Sequence, residues 1–204
     1  MYARLSWFES LGDQLEARMA DFPRRMQGIR QAPGCIGIGA LVNRESGAAL
    51  SVTYWDSKDS MLATESAGEQ IRSQVIAEGP QLRNLDRFEV VLQERTAPPR
   101  SSTFVRTNDF VAPTAKIDAV ADVLRGHISD ARNAPGFLAL LVFANRETGR
   151  MLVGSIWDSA AHREASREAA RSVGEEMRAV RGETSVTTEL YEVAYTDIKL
   201  PAPA

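Results

Sequence analysis

The sequence contains two copies of one segment, and this duplication is the strongest constraint on how the chain folds. The first copy, Ala32–Ser57, reads APGCIGIGALVNRESGAALSVTYWDS, and the second, Ala134–Ser159, reads APGFLALLVFANRETGRMLVGSIWDS. The two copies lie 102 residues apart with no gap between matched positions. The duplication begins earlier still, because Tyr2–Phe8 matches Phe104–Phe110 at the same offset. We therefore predict two similar modules of about a hundred residues, each long enough to hold a small core.

Each module is predicted to contain a strand, a helix, two further strands, a second helix and a final strand. The first helix is predicted over residues 11–30, because apolar residues recur there at the spacing of one helix face. Pro23 lies inside this helix and predicts a kink or a helix in two pieces, since proline removes a backbone hydrogen bond. The second module has Arg125 at the matching position.

Short turns join the elements that follow. Ala-Pro-Gly ends the first helix in both modules, because the residue before a proline disfavours helical geometry. Gly47 and Gly149 close the turn between the two middle strands, and both are predicted to take positive φ. Second helices are predicted over 58–78 and 160–181, each capped by the Asp or Ser of a preceding Trp-Asp-Ser sequence. The final strands are predicted over 88–93 and 191–196.

This order of elements is that of a ferredoxin-like unit, in which two helices cover one face of a four-stranded antiparallel sheet. The strand over 137–143 is apolar at every position, so the other face of the sheet also needs cover. The predicted fold class is α+β, with two ferredoxin-like βαββαβ repeats packed sheet to sheet as a closed barrel within one chain. The predicted boundaries are 1–95 for the first repeat, 96–103 for a linker and 104–197 for the second repeat.

Composition and charge argue against several classes of function. A net charge of −3 gives no general positive field for nucleic acid or an anionic membrane. The longest apolar run, Phe137–Ala144, is too short to span a bilayer, and the first residues lack an apolar signal core. Cys35 is the single cysteine, which rules out an intrachain disulfide. We expect a cytoplasmic protein with no nucleic acid or membrane partner, either a monomer with an intrachain pseudo-dimer or a homodimer.

Two repeated motifs carry a resemblance to a known family. They are the Ala-Pro-Gly before the second strand and the Trp-Asp-Ser before the second helix, at 55–57 and 157–159. Over Tyr2–Tyr195 the chain resembles a tandem of antibiotic biosynthesis monooxygenase-like domains, of the dimeric α+β barrel superfamily. That family includes cofactor-free oxygenases of aromatic polyketides, quinol oxygenases and haem-degrading enzymes. The haem-degrading branch resembles this chain less, because its second helix carries a tryptophan and a histidine, and here only His162 is present.

Polar residues on the two first strands are the candidates for ligand binding. The resemblance implies that the substrate lies between the sheet and its helices, where polar groups of the first strand and the second helix, with a tryptophan, polarise it. Arg4 and Ser6 share one face of the first strand, and Arg106 and Asn108 share the corresponding face of its copy. An arginine at this position would hold a carboxylate or a phenolate through two hydrogen bonds.

Each candidate also has a structural interpretation that the sequence leaves open. The two arginines would instead form ion pairs with Glu89 or Glu192 on a neighbouring strand. Trp55 and Trp157 recur in both repeats, which favours a packing role, although a tryptophan beside a cavity would also stack on a flat aromatic ligand.

Metal chemistry has little support in the sequence. Two histidines and one cysteine do not make a usual transition-metal site without several carboxylates, and the resemblance implies no cofactor. We therefore predict a cofactor-independent monooxygenase-like protein that binds a flat aromatic or quinone-type small molecule. The alternative is a non-catalytic small-molecule-binding or stress-associated module of the same fold, so whether the chain is an enzyme stays open.

Overall fold

The chain forms two compact units. The first consists of residues 1–88 and 192–198, and the second consists of residues 89–191. Each unit therefore holds most of one sequence repeat together with the end of the other repeat's last strand. The structure, a computed structural model, describes residues 1–9, 11–97 and 100–198.

The first unit is an antiparallel sheet with helices packed against it. Strand β3 lies between β1 and β2, and residues 192–198 pair with the free side of β2. Buried Phe22, Ile38 and Trp55 join the helices to the sheet in one apolar cluster. The elements are β1 (Tyr2–Glu9), α1 (Leu15–Arg25), α2 (Gln27–Arg30), β2 (Cys35–Asn43), β3 (Ala48–Trp55), α3 (Lys58–Ala63), α4 (Glu65–Ala77) and the first part of β4 (Gln81–Arg95).

The second unit repeats this arrangement. Strand β7 lies between β5 and β6, and residues 89–95 of β4 pair with the free side of β6. Its larger apolar cluster includes Leu124, Val142 and Met151. The elements are β5 (Phe104–Val111), α5 (Ile117–Gly126), α6 (Ile128–Asn133), β6 (Phe137–Ala144), β7 (Arg150–Trp157), α7 (Ala160–Ala165), α8 (Arg167–Arg181) and the first part of β8 (Val186–Ile198).

The predicted order of elements is present in both repeats. The boundaries 1–95 and 104–197 stay a proposal for how the duplicated sequence is organised. Within the predicted linker, Pro98 and Pro99 lie outside the described residues. Across the described ranges, every helix is either too short or too polar to cross a membrane.

The first helix is in two pieces, as predicted, but Pro23 is not needed for the break. Helix α1 contains the proline and gives way to α2 at Met26. In the second repeat α5 gives way to α6 at His127, although this repeat has no proline in the helix. The break is therefore a property of the fold, since both repeats have it.

The prediction of one continuous second helix is wrong in both repeats. Helix α3 ends before Thr64, and α7 ends before Ser166. The Thr64 hydroxyl donates to the Met61 carbonyl at 3.0 Å, and the Ser166 hydroxyl donates to the Arg163 carbonyl at 2.7 Å. These side chains, together with an arginine from the first strand, take up carbonyl groups that the next turn of a continuous helix would use.

The two hairpin glycines offer a matched stability test. Gly47 and Gly149 have φ of +69° and +77°, which confirms their predicted conformation. A Cβ at Gly149 would collide with the Ala112 carbonyl oxygen, whereas at Gly47 the nearest contact is the Gly12 nitrogen at 3.3 Å. We expect Gly47→Ala to lower the free energy of unfolding by about 1 kcal/mol, and Gly149→Ala by about 2 kcal/mol or more. Urea unfolding of the two variants tests this, and equal losses would contradict it.

Candidate functional site

A cavity of about 90 Å³ lies in the first unit, between its sheet and helices α1, α2 and α4. We call it the first-unit cavity. This volume is several times the space that one water molecule needs, and the cavity is partly open to solvent, so it admits one part of a larger flat ring system. Its walls are mainly apolar and include Phe8, Phe22, Met26, Ile71 and Val75.

The sheet side of the first-unit cavity is polar. Arg4 and Ser6 on β1 pair directly with Thr53 and Ser51 on β3, and all four line the cavity. Alternate residues of a strand face the same side, so these side chains form a polar strip beneath the apolar walls. Arg4, Ser6 and Thr53 are buried, with exposures of 4%, 7% and 4%, whereas Ser51 is partly exposed.

The Arg4 guanidinium connects this strip to the break between α3 and α4. It donates to the Met61 carbonyl and, at 3.2 Å, to the Thr64 hydroxyl, and it lies 3.3 Å from Glu65. Its Nε is buried and has no hydrogen-bond partner in the described structure. Burial lowers the pKa of Arg4, and Glu65 opposes this shift. The guanidinium group therefore has a structural role as a cap on α3, and its Nε–H remains as a donor that binds no group in the described structure.

One carboxylate serves three arginines beside the cavity. Glu65 lies 3.3 Å from Arg4, 3.0 Å from Arg72 and 2.7 Å from Arg87. Partial burial alone would raise the pKa of Glu65, but the hydrogen bond from Arg87 and the charges of the three arginines bring it below its usual value. Arg4 and Arg72 line the cavity together, so its polar end is positively charged.

The second repeat has apolar side chains at several positions that match the lining of the first-unit cavity. Ala49 and Ser51 of the first repeat correspond to Met151 and Val153, and Arg18 corresponds to Val120. Met151 and Val120 are fully buried, and they belong to the apolar cluster of the second unit. The two repeats have therefore diverged at these positions, which line a cavity in the first unit and belong to an apolar cluster in the second.

The second repeat keeps the structural part of the arginine arrangement. Arg106 donates to the Ser166 hydroxyl at 3.0 Å and to the Arg163 carbonyl, which caps α7. The second repeat has no carboxylate at the position of Glu65, because Arg167 is the matching residue. Asn108 accepts a hydrogen bond from the Thr188 hydroxyl at 2.8 Å.

Both predicted tryptophans are packed inside their own units. Trp55 is fully buried, and its indole N–H donates to the Thr53 hydroxyl at 2.9 Å. Trp157 is 6% exposed, donates to the Ser155 hydroxyl at 3.1 Å and meets Phe137 edge to face. Neither residue lines the first-unit cavity, although the Arg4 guanidinium lies 5.9 Å from the centre of the Trp55 ring.

The structure thus brings together Arg4, Ser6 and, beneath them, Trp55, while the other three predicted residues belong to the second unit. The alternative ion pairs of the arginines are not formed, because Glu89 binds Arg146 and Glu192 binds Arg44. Sequence reasoning missed Ser51, Thr53 and Arg72. The alternation of Ser51 and Thr53 with apolar residues in β3 was a usable signal for the first two.

No group of three or more His, Cys, Asp or Glu side chains is placed to hold a metal ion in the described ranges. His127 and His162 pair instead with Glu176 and Asp158, at 2.9 and 2.6 Å.

Comparison with known proteins gives relatives at low identity. No protein-family model matches the sequence. Two uncharacterized proteins of Mycobacterium tuberculosis are each 21% identical to this chain over 178 residues, which is 86% of this chain and 79% of theirs.

Solved structures give a stronger match. An anthrone oxidase-like protein superposes with a TM-score of 0.73 at 20% identity, covering 100% of this chain and 96% of its own. A candidate monooxygenase of Fusobacterium nucleatum gives 0.67 at 13% identity, with 97% and 94% coverage. A ferredoxin-fold protein of Listeria monocytogenes related to antibiotic biosynthesis monooxygenases gives 0.55 at 10% identity, with 94% coverage of each chain. At such identities the likeness shows the fold alone, and it confirms the predicted ferredoxin-like α+β fold class.

Proposed function

We propose that the first repeat binds a flat aromatic or quinone-type small molecule in the first-unit cavity, as a cofactor-independent monooxygenase-like protein. The observation that carries this proposal is the cavity itself, with apolar walls over a strip of arginine and hydroxyl groups. Such a lining suits a flat apolar ring that bears an oxygen atom. The fold likeness to an anthrone oxidase-like protein supports the same class of ligand.

The polar lining suggests how the protein would assist oxidation. Arg4 and Ser6 offer hydrogen-bond donors, which stabilise negative charge as it develops on a substrate oxygen. For anthrone, one molecule of O₂ converts the CH₂ group to a second ring ketone. One oxygen atom enters the product, and the other leaves in water with the two hydrogen atoms. The arginines would favour the enolate that reacts with O₂, while solvent accepts its proton.

Oxygen uptake with anthrone and no added cofactor tests this proposal. We expect uptake above the uncatalysed rate, and we expect Ala49→Met to reduce the enhancement about 10-fold or more, because lost binding of about 1.4 kcal/mol has that effect. Methionine fits the fold at this position, since Met151 is the buried equivalent in the second repeat. Ala20→Met on the exposed side of α1 is the matched control. No uptake enhancement by the parent protein, or equal rates in both variants, would contradict the proposal.

The non-catalytic binding module is the second candidate, and one observation favours it. The polar side chains that line the cavity are arginines, serines and threonines, which are poor proton acceptors at neutral pH. Binding of anthraquinone without any oxygen uptake from anthrone would support this candidate over the enzyme. The cytoplasmic location stays a prediction, and so does the choice between monomer and homodimer. Gel filtration tests the second of these predictions, because it measures the size of the protein in solution.

A further inference from the structure

The first-unit cavity has an excess of positive charge at one place. Its lining includes Arg18 and Arg25, which both lie 2.8 Å from Glu78, and Arg25 also lies 2.6 Å from Asp21, so two carboxylates face these two arginines. Arg4 and Arg72 differ, because they share Glu65 with a third arginine. In the described part of the chain this leaves two positive charges more than the shared carboxylate neutralises.

Gly68 allows the two guanidinium groups to come close. A Cβ on Gly68 would lie 2.7 Å from Nη1 of Arg4 and 3.0 Å from Nη1 of Arg72. Both arginines are at least nine-tenths buried, with exposures of 4% and 9%. Two buried like charges repel each other, and Glu65 supplies only one negative charge between them, so a second anion beside the pair would lower the cost of the arrangement. The Nε of Arg4, which has no partner, adds a further unused donor.

The second repeat keeps the first-strand arginine but not the residues that surround it in the first. Its equivalents of Glu65, Gly68 and Arg72 are Arg167, Ala170 and Gly174. Arg163 in that repeat also has a buried Nε without a partner in the described structure, so this feature is shared. The pairing of Arg4 with Arg72 across a glycine, beside a shared carboxylate, is specific to the first repeat.

We propose that the ligand of the first-unit cavity is an anion, a flat aromatic ring whose carboxylate or phenolate oxygen binds between Arg4 and Arg72. The ring lies against the apolar wall formed by Phe22 and Met26. Charge-assisted hydrogen bonds to arginine hold such an oxygen more strongly than neutral donors do. This inference rests on the proposed function, because it assumes that the cavity is occupied, and it adds the charge of the ligand.

Binding of a matched pair of probes to the whole chain tests the proposal. We use 2-naphthoate and 2-naphthamide, which have the same ring and differ in charge, and measure Kd by calorimetry. We expect the Kd of naphthoate to be lower than that of the amide by about 10-fold or more. We also expect the affinity for naphthoate to fall as salt is added, because salt screens the charges. If neither probe binds, the proposed binding function fails together with the inference. If both bind equally well, the inference alone is overturned.

Two variants distinguish the effect of the paired arginines on naphthoate affinity from the effect of the protein's net charge. Arg72→Gln is expected to weaken naphthoate about 10-fold and to leave the amide within about 2-fold. Gly68→Ala keeps the charge but displaces both guanidinium groups, and it is also expected to weaken naphthoate selectively while the helix stays folded, because alanine favours helix. Arg178→Gln, at an exposed position in the second unit, is the charge-matched control. Equal losses in Arg72→Gln and Arg178→Gln would overturn the proposal, as would an unchanged naphthoate affinity in Gly68→Ala.

Discussion

Replacement of Trp55 by alanine is expected to lower the free energy of unfolding by about 3–5 kcal/mol, the usual cost of removing a large aromatic side chain from a core. Trp55 has no exposed surface and packs with Phe22, Ile29 and Met61, so it holds helices α1, α2 and α3 against the sheet. Its loss would also leave the Thr53 hydroxyl without its indole donor and the Arg4 guanidinium without the ring beneath it.

Urea unfolding measures the size of this effect, and Leu62→Ala is the control. Leu62 is 43% exposed on α3, so its truncation should change stability by less than about 0.5 kcal/mol. A second variant, Trp55→Phe, keeps an aromatic ring and separates packing from ligand contact. Because Trp55 does not line the first-unit cavity, this variant should keep the parent affinity for 2-naphthoate. A folded Trp55→Phe protein that no longer binds naphthoate would show that the ring contacts the ligand.

Features that depend on local sequence could be predicted well. The order of elements followed from the duplication, and the positive φ of Gly47 and Gly149 followed from the hairpin turns. The cap of the second helix was also predicted, and Ser57 performs it by accepting from the Ser60 N–H at 3.1 Å. Each of these depends on a few neighbouring residues whose conformations are restricted by their own chemistry.

The helix breaks could not be predicted because their cause lies far away in sequence. Arg4 reaches carbonyl groups 57 and 60 residues further along the chain. Neither Thr64 nor Ser166 is a strong helix breaker on its own, so propensity favours one continuous helix. Only the packing of the first strand under the helices brings the guanidinium to the break.

The difference between the two repeats lies in side-chain volume, which a search for matching residues does not weigh. Ala49 lines the first-unit cavity, whereas Met151, at the matched position, belongs to an apolar cluster. The sequence alone does not show this difference, because it depends on where the helices lie over the sheet. The place of Arg72 in the cavity lining could not be predicted for a related reason. Arg72 lies on a helix with other charged residues, and its burial becomes evident only with the sheet in place.

Replacing Arg4 and Arg106 in turn is expected to show which of the two affects ligand binding, because both replacements should lower stability but only one should lower affinity. Both guanidinium groups bond the last carbonyls of a short helix, so Arg4→Met and Arg106→Met should each cost about 1–3 kcal/mol of unfolding free energy. Arg4 also lines the first-unit cavity next to Arg72, whereas Arg106 belongs to the second unit. We therefore expect Arg4→Met to weaken 2-naphthoate about 10-fold or more, and Arg106→Met to leave its Kd within about 2-fold.

Calorimetry at a temperature where both variants remain folded measures this contrast, with thermal unfolding as the check on folding. Arg4→Lys sharpens it, because lysine keeps the charge but loses the planar donor pair, so a partial loss of affinity is expected. Equal weakening by Arg4→Met and Arg106→Met would mean that the second unit also takes part in binding, and the assignment of the ligand to the first repeat would be wrong. A strong effect of Arg4→Met alone would instead mean that the duplication left one repeat to hold the ligand and the other to stabilise the fold.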